Sequence, residues 1–175
     1  MTSLYDVSIP VLAKIMRTMS AILKKGETWA KENNISTTDL MDSRLYEDML
    51  SLSDNVVISA STCKKAIQRL SGPELPGPEF KEKTIEELHA IIDETLKQLG
   101  EVKKSDVDSK KAEIVPCSFG RLEMKATAIN YAQGYVIPTA FFHLNMIYAI
   151  LRSKGVPLGK KDAMNEFLVD FEGWH

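Results

Sequence analysis

His143 is the residue of this sequence best placed to do chemistry. It sits in the middle of PTAFFHLNMIYAILRSKGV, Pro138 to Val156. That stretch is apolar on nearly every side. His143 falls on the line Val136, Ala140, His143, Ile147, Ile150, which a helix turns towards a core. Burial disfavours an imidazolium and lowers its pKa, leaving a neutral ring that accepts a proton or binds a metal. The alternative is a core histidine tied to a neighbouring carbonyl or carboxylate. Arg44 and Asp48 are four residues apart, so on a helical turn they share a face. Two uses are open. One is a surface ion pair worth about 0.5 kcal/mol. The other is a site in which Asp48 orients His143 and Arg44 meets an anionic substrate group. Tyr5, Tyr131 and Tyr148 carry hydroxyls that need partners when buried and can donate to a substrate carbonyl; packing is the simpler use of each.

Metal chemistry has three weaker candidates. Cys63 lies on the stripe Leu52, Val56, Ala60, Cys63, Ile67, Leu70, and a thiolate there can join His143 and a carboxylate around zinc. A buried cysteine is otherwise a small hydrophobe. His89 borders the face of Ile85 and Ile92. A centre drawn from His143, Cys63 and His89 carries no spacing signature. The expectation is therefore a site without a cofactor, with a divalent metal, zinc or nickel, as the alternative.

These side chains need elements to hold them, and four long helical segments are legible. The first runs from about Ser8 to Asn34, with apolar positions at helical period and Pro10 in its first turn. ISTTDLMDSRLYEDMLSLSDN follows, polar, with room for a short helical turn. The second segment runs from about Ser51 to Leu70, and Gly72 stops it before the prolines of SGPELPGPEF. The third opens at Thr84, with Glu87 completing a capping-box pattern, and ends at Gly100. Glu101–Lys111 is expected to be a solvated loop. In AEIVPCSFGRLEMKAT the helical pattern gives way to a short β-hairpin with its turn at Gly120 and Pro116 at an edge position. The fourth helix covers Thr127 to Ser153, kinked at Pro138 and stopped by Gly155. Four amphipathic helices joined by one long crossover predict an antiparallel four-helix bundle.

Composition excludes some functions. The chain has 175 residues, 44% of them hydrophobic and 26% charged, with a net charge of -2. That suits one globular domain. It lacks the basic surplus of a nucleic-acid binder, so no nucleic-acid partner is expected. Two cysteines do not make a disulfide framework. The first residues carry no secretory pattern, and no uninterrupted apolar run reaches the roughly 20 residues of a membrane span. A cytoplasmic protein without a membrane partner is expected. The eight methionines suit an adaptable apolar interior.

Three stretches together resemble a family found mainly in bacteria and fungi, within the DinB/YfiT-like helical-bundle proteins. They are LYDVSIPV, with Tyr5 and Pro10; SRLYEDML, with Arg44, Leu45, Asp48 and Met49; and FFHLNMIYAILRSKGVPLGKKD, with His143, Tyr148, Arg152, Gly155, Gly159, Lys160 and Asp162. The similarity extends from about residue 4 to residue 162. It implies a DinB-like bundle that is often a homodimer. It also implies, for many relatives, a divalent metal held by three histidines, or thiol-dependent transfer. The chain departs from that pattern. A helical histidine pair would need a partner for His143 at position 139 or 147, and these are Thr139 and Ile147.

The resulting expectation is an all-α, DinB-like antiparallel four-helix bundle over residues 1–162, with a small β-hairpin between its third and fourth helices. The tail, 163–175, is either an apolar latch or a partly ordered terminus. The function expected is a small-molecule enzyme or binder with an apolar pocket, a metal-independent isomerase, lyase or cyclase of secondary metabolism. In it His143 serves as general acid or base, Asp48 orients it, and Arg44 contacts an anion. The alternatives are a metal-dependent hydrolase or transferase, and a non-catalytic dimeric ligand-binding or stress-related module. The nearly unbroken apolar run of Phe141 to Leu151 argues for a homodimer.

Overall fold

A computed structural model describes residues 3–76 and 83–174. The order is α1 (Ile9–Glu32), α2 (Thr37–Met41), α3 (Leu52–Ser71), α4 (Ile85–Glu101), α5 (Lys104–Ser109), β1 (Ile114–Phe119), β2 (Leu122–Thr127), α6 (Ala128–Tyr131), a π-helical turn (Ala132–Val136), α7 (Ile137–Ser153) and α8 (Lys160–Leu168). The chain is mostly helical with one antiparallel hairpin. α3 packs on α4 and α7, and α1 packs on α4, α7 and α8. The apolar stripes of the long helices meet in one core, from Leu12, Ile15 and Met19 on α1 to Ile147 and Leu151 on α7.

Local chemistry sets the helix ends. Ser51 Oγ accepts from Asp54 N–H, while the Asp54 carboxylate accepts from Ser51 N–H. Thr84 and Glu87 repeat that reciprocal cap on α4. Each box satisfies two N–H groups that a helix start leaves without partners. Gly72 ends α3 at φ +107°, and Gly155 follows α7 at φ +97°. Gly100 does not end α4. It stays helical, and the chain leaves at Val102, whose N–H reaches Leu99 O at 3.4 Å. A glycine terminates a helix where the backbone takes positive φ, and Gly100 does not take it.

Three further expectations change. Within Glu101–Lys111, expected to be a loop, α5 forms because Val107 is buried and Asp108 Oδ1 accepts Tyr5 N–H at 2.9 Å. Pro138 produces a π turn rather than a plain kink: Ile137 N–H donates to Ala132 O, five residues back. The wide turn lies one turn ahead of Pro138, where the ring and its missing N–H would otherwise disturb the carbonyl ladder. The helix continues through it, so Ala128–Ser153 forms 26 unbroken residues. By length and composition this helix is long and apolar enough to cross a membrane, which no uninterrupted run in the sequence suggested. Here it packs on α1 and α3.

The boundary drawn at residue 162 falls inside α8. This helix lies along α1, with Arg17 paired to Glu166 at 2.9 Å and Lys14 to Asp170 at 3.0 Å. Phe167 packs against Phe141 with ring centres 5.4 Å apart. In the hairpin Pro116 pairs with Lys125, and Gly120 turns the chain at φ +59°. Val115 and Cys117 face inward, whereas Ile114, Phe119 and Leu122 are exposed.

Candidate functional site

His143 occupies the middle of α7 and is 7% exposed. Its Nδ1 lies 2.8 Å from Asn55 Oδ1 on α3. The orientation of that amide is determined by its other end. Asn55 Nδ2 donates to Ser51 O at 2.7 Å and to Leu50 O at 3.3 Å. Both amide hydrogens are thus spent on carbonyls at the start of α3, and the atom turned to the ring is the acceptor. Nδ1 must then carry the proton, and Nε2 keeps its lone pair. Nε2 has no protein partner among the described residues, and it is not sealed from solvent. Burial pushes the imidazole pKa below its ordinary value, which favours the neutral ring.

The ring lines a cleft of about 340 Å³. That lies near the lower end of the range for small-molecule sites. α6 contributes Tyr131, the π turn Tyr135 and α7 Thr139; α3 contributes Ser61 and Lys65; the hairpin contributes Phe119. Residues 131, 135, 139 and 143 are four apart. In an unbroken α-helix the step from Tyr131 to His143 drifts by about 120° around the axis. The extra residue of a π turn returns about 100° of that, so four side chains share one wall. Tyr131 and Tyr135 stack with ring centres 5.7 Å apart. Tyr131 Oη accepts from Arg69 Nη1 at 2.8 Å, and Tyr135 Oη donates to Ser118 O at 2.9 Å. Burial raises the Tyr131 pKa despite the nearby guanidinium. The Ser61 and Thr139 hydroxyls find no partner among the described residues, whereas neighbouring Thr62 bonds back to Ile58 O.

The residues singled out in the sequence distribute unevenly. His143 and Tyr131 meet in the cleft. Arg44 and Asp48 do not sit on a helical turn: both are exposed in the connection between α2 and α3, and Arg44 Nη1 donates to Met49 O at 3.2 Å. Asp48 lines a separate cleft of about 250 Å³ with Asn55, Phe142 and Met146. The His143–Asn55 pair lies between the two clefts, and Asn55, not Asp48, holds Nδ1. Tyr5 packs near α5, with the Lys104 ammonium 5.9 Å from its ring centre, and Tyr148 packs on the core; neither lines the cleft. Asn55, Ser61, Lys65, Tyr135 and Thr139 were missed. The four-residue spacing of 131, 135, 139 and 143 was a usable signal for two of them.

The metal candidates do not converge. His89 Nε2 lies 3.2 Å from Glu27 Oε2, across from α4 to α1. Cys63 is fully buried, its thiol pKa pushed up to about 12 by desolvation. Among the described residues no three His, Cys, Asp or Glu side chains gather as a metal site. Besides His143, the polar and aromatic groups lining the cleft are hydroxyls, aromatic rings and one lysine, a set that does not fit the three-histidine centre of many DinB-like relatives.

No curated protein is significantly similar to the chain. Among solved structures, a DinB family member protein from Shewanella denitrificans matches with a TM-score of 0.80 and 30% sequence identity, over 91% of this chain and 90% of that one. Residues 4–164 match the family described as a domain of unknown function, DUF1993. The chain therefore belongs to the DUF1993 family, and its fold is DinB-like.

Proposed function

We propose that the protein is a small-molecule enzyme whose site is the His143 cleft inside an antiparallel four-helix bundle. The observation that carries this reading is the tautomer of the ring. Asn55 fixes the proton on Nδ1, leaving Nε2 unprotonated on a ring that lines a cleft of small-molecule size. A neutral imidazole held this way removes a proton from a bound substrate and gives it back at another atom. Isomerases, lyases and cyclases that need no metal run on that step. Asn55 takes the orienting role expected of Asp48. The unpartnered Ser61 and Thr139 hydroxyls supply donors for a substrate oxygen that gains charge as the proton leaves.

The reading also includes a homodimer. Leu50 and Phe142, at the rim of the second cleft, are 41% and 53% exposed, and Leu45 and Tyr46 of the same connection are exposed too. Burying them against a second copy removes these apolar side chains from water. Sedimentation of wild type and of Phe142→Glu tests this part: a dimer converted to a monomer is expected, and a monomeric wild type removes it.

Nitrogen NMR of the imidazole tests the site. A single neutral tautomer with the proton on Nδ1 is expected at pH 7, with Nε2 alone shifting when small acids or amides enter the cleft. A mixture of tautomers, or a ring that responds to no ligand, removes the reading. Metal analysis of the purified protein provides the contrast, since one tightly held divalent ion per chain would favour hydrolase or transferase chemistry.

A further inference from the structure

The cleft has charge and shape of its own. Lys65 is the one charged side chain among its lining residues. Arg69 lies one turn further along α3, directly behind the wall, where its Nη1 reaches Tyr131 Oη at 2.8 Å and its guanidinium carbon lies 5.1 Å from the Tyr131 ring centre. Among the described residues neither cation is paired with a carboxylate, although Lys14, Arg17 and Lys31 all are. No acidic residue lines the cleft to offset this charge. One wall is flat: the Tyr131 and Tyr135 rings are stacked within 17° of parallel. Phe119 stands at the hairpin side, 69% exposed with nothing over it. An apolar ring that large costs free energy in water unless something covers it.

We infer that the ligand of this cleft is a planar aromatic anion, a carboxylate or an acidic phenol, with its ring against Tyr135 and Phe119 and its charge towards Lys65. The inference rests on the reading of the cleft as a small-molecule site and adds the class of molecule. A flat ring fills the space between the tyrosine pair and Phe119. An anion at Lys65 finds the only formal charge the lining offers, reinforced by Arg69 one turn away. The same placement brings an acidic C–H or O–H of the ligand towards His143 Nε2. Lys65 thus assumes the anion contact expected of Arg44, which instead donates to its own loop.

Three probes separate the components: 2-naphthoate, its neutral amide 2-naphthamide, and cyclohexanecarboxylate, an anion without a flat ring. Affinity is measured by calorimetry, and entry to the cleft by the His143 imidazole signals. The naphthoate is expected to bind about fivefold more tightly than the amide at low salt, the size of one exposed charge contact. Raising the salt to about 0.5 M should erase most of the difference. Lys65→Met should abolish the preference, and Lys65→Arg should retain it; Lys65 is exposed, so both variants should fold. Cyclohexanecarboxylate should bind more weakly than the naphthoate. Equal affinity for acid and amide, or a preference that survives Lys65→Met, overturns the anionic class and leaves the catalytic reading of His143 standing. Equal affinity for the two carboxylates overturns the planar class. If no probe moves the His143 signals, the cleft itself fails as a site, and both proposals fall together.

Discussion

At the scale of residues, the proposed chemistry depends on one hydrogen bond. Asn55→Leu keeps the branched shape but leaves the buried Nδ1–H of His143 without an acceptor. That should cost about 1–3 kcal/mol and lower Tm by roughly 2–12 °C. Adding His143→Phe should recover much of the loss, and the double-mutant cycle measures how much. Asn55→Asp is different, because a carboxylate at Nδ1 favours the imidazolium and should raise the ring pKa. The lowered His143 pKa also predicts an acid limb of stability. Folded, the ring titrates below the 6.5 of the unfolded chain. Below about pH 6.5 the unfolded state takes up a proton that the folded state refuses, so the folded form loses stability as pH falls towards the lowered value. Above that window the contribution is flat. Denaturant titrations of wild type and His143→Leu between pH 7.5 and 5 should show a shallower acid slope in the variant, and equal slopes would contradict the assignment.

At the scale of elements, the π turn aligns the cleft wall and Gly155 closes the helix that carries it. Pro138→Ala restores an N–H and removes the ring that clashes one turn back, so the wide turn can relax to regular α-helix. Thermal stability should rise while naphthoate affinity falls, because Tyr131 and Tyr135 rotate away from Thr139 and His143. Raised stability with unchanged affinity would show that the turn does not align the wall. Gly155→Ala should lose on two counts. The backbone is at φ +97°, and a Cβ there would meet the Trp29 ring at 3.3 Å. A cost of about 1–2 kcal/mol is expected, read as a Tm lower by roughly 2–8 °C. The Thr84–Glu87 capping box and the Gly120 hairpin turn were legible in the sequence, because each depends on residues at most three positions apart; the Ser51–Asp54 box has the same spacing and was not read. The role of Gly100 was not legible, since whether a glycine takes positive φ depends on where the following chain must go. α5 was missed for a related reason: its helix is short and charged, and only the burial of Val107 and the tie from Asp108 to Tyr5 hold it.

For the whole molecule, the core protects what it encloses. Cys63 is fully buried with its thiol pushed up to about 12, and Cys117 is buried in the hairpin. Thiolate is the reactive form. A thiol reagent at pH 8 should therefore label neither cysteine faster than the chain opens, and labelling should accelerate with denaturant as unfolding does. Rapid labelling in buffer would contradict this packing. α8 extends the same logic to the end of the described chain. Its ion pairs to α1 are exposed and worth little individually, whereas Phe167 against Phe141 gives it an apolar hold. Phe167 thus supplies the apolar hold of the tail, whereas Phe171 is exposed.

The sequence by itself determined that His143 would be buried, because period and hydropathy along α7 are local properties that any packing partner must respect. It determined the long helices, the Thr84 cap, the stops at Gly72 and Gly155, and the hairpin for the same reason. It did not determine which nitrogen of the ring is free. That choice belongs to Asn55, 88 residues away, whose amide is oriented by carbonyls at the start of α3. Nor did it place Lys65 in the same cleft as the ring, or Asp48 in a different one. Helix pairing and the conformation of the connection between α2 and α3 decided these, because a side chain's neighbours across helices depend on how the stripes dock and not on spacing along the chain.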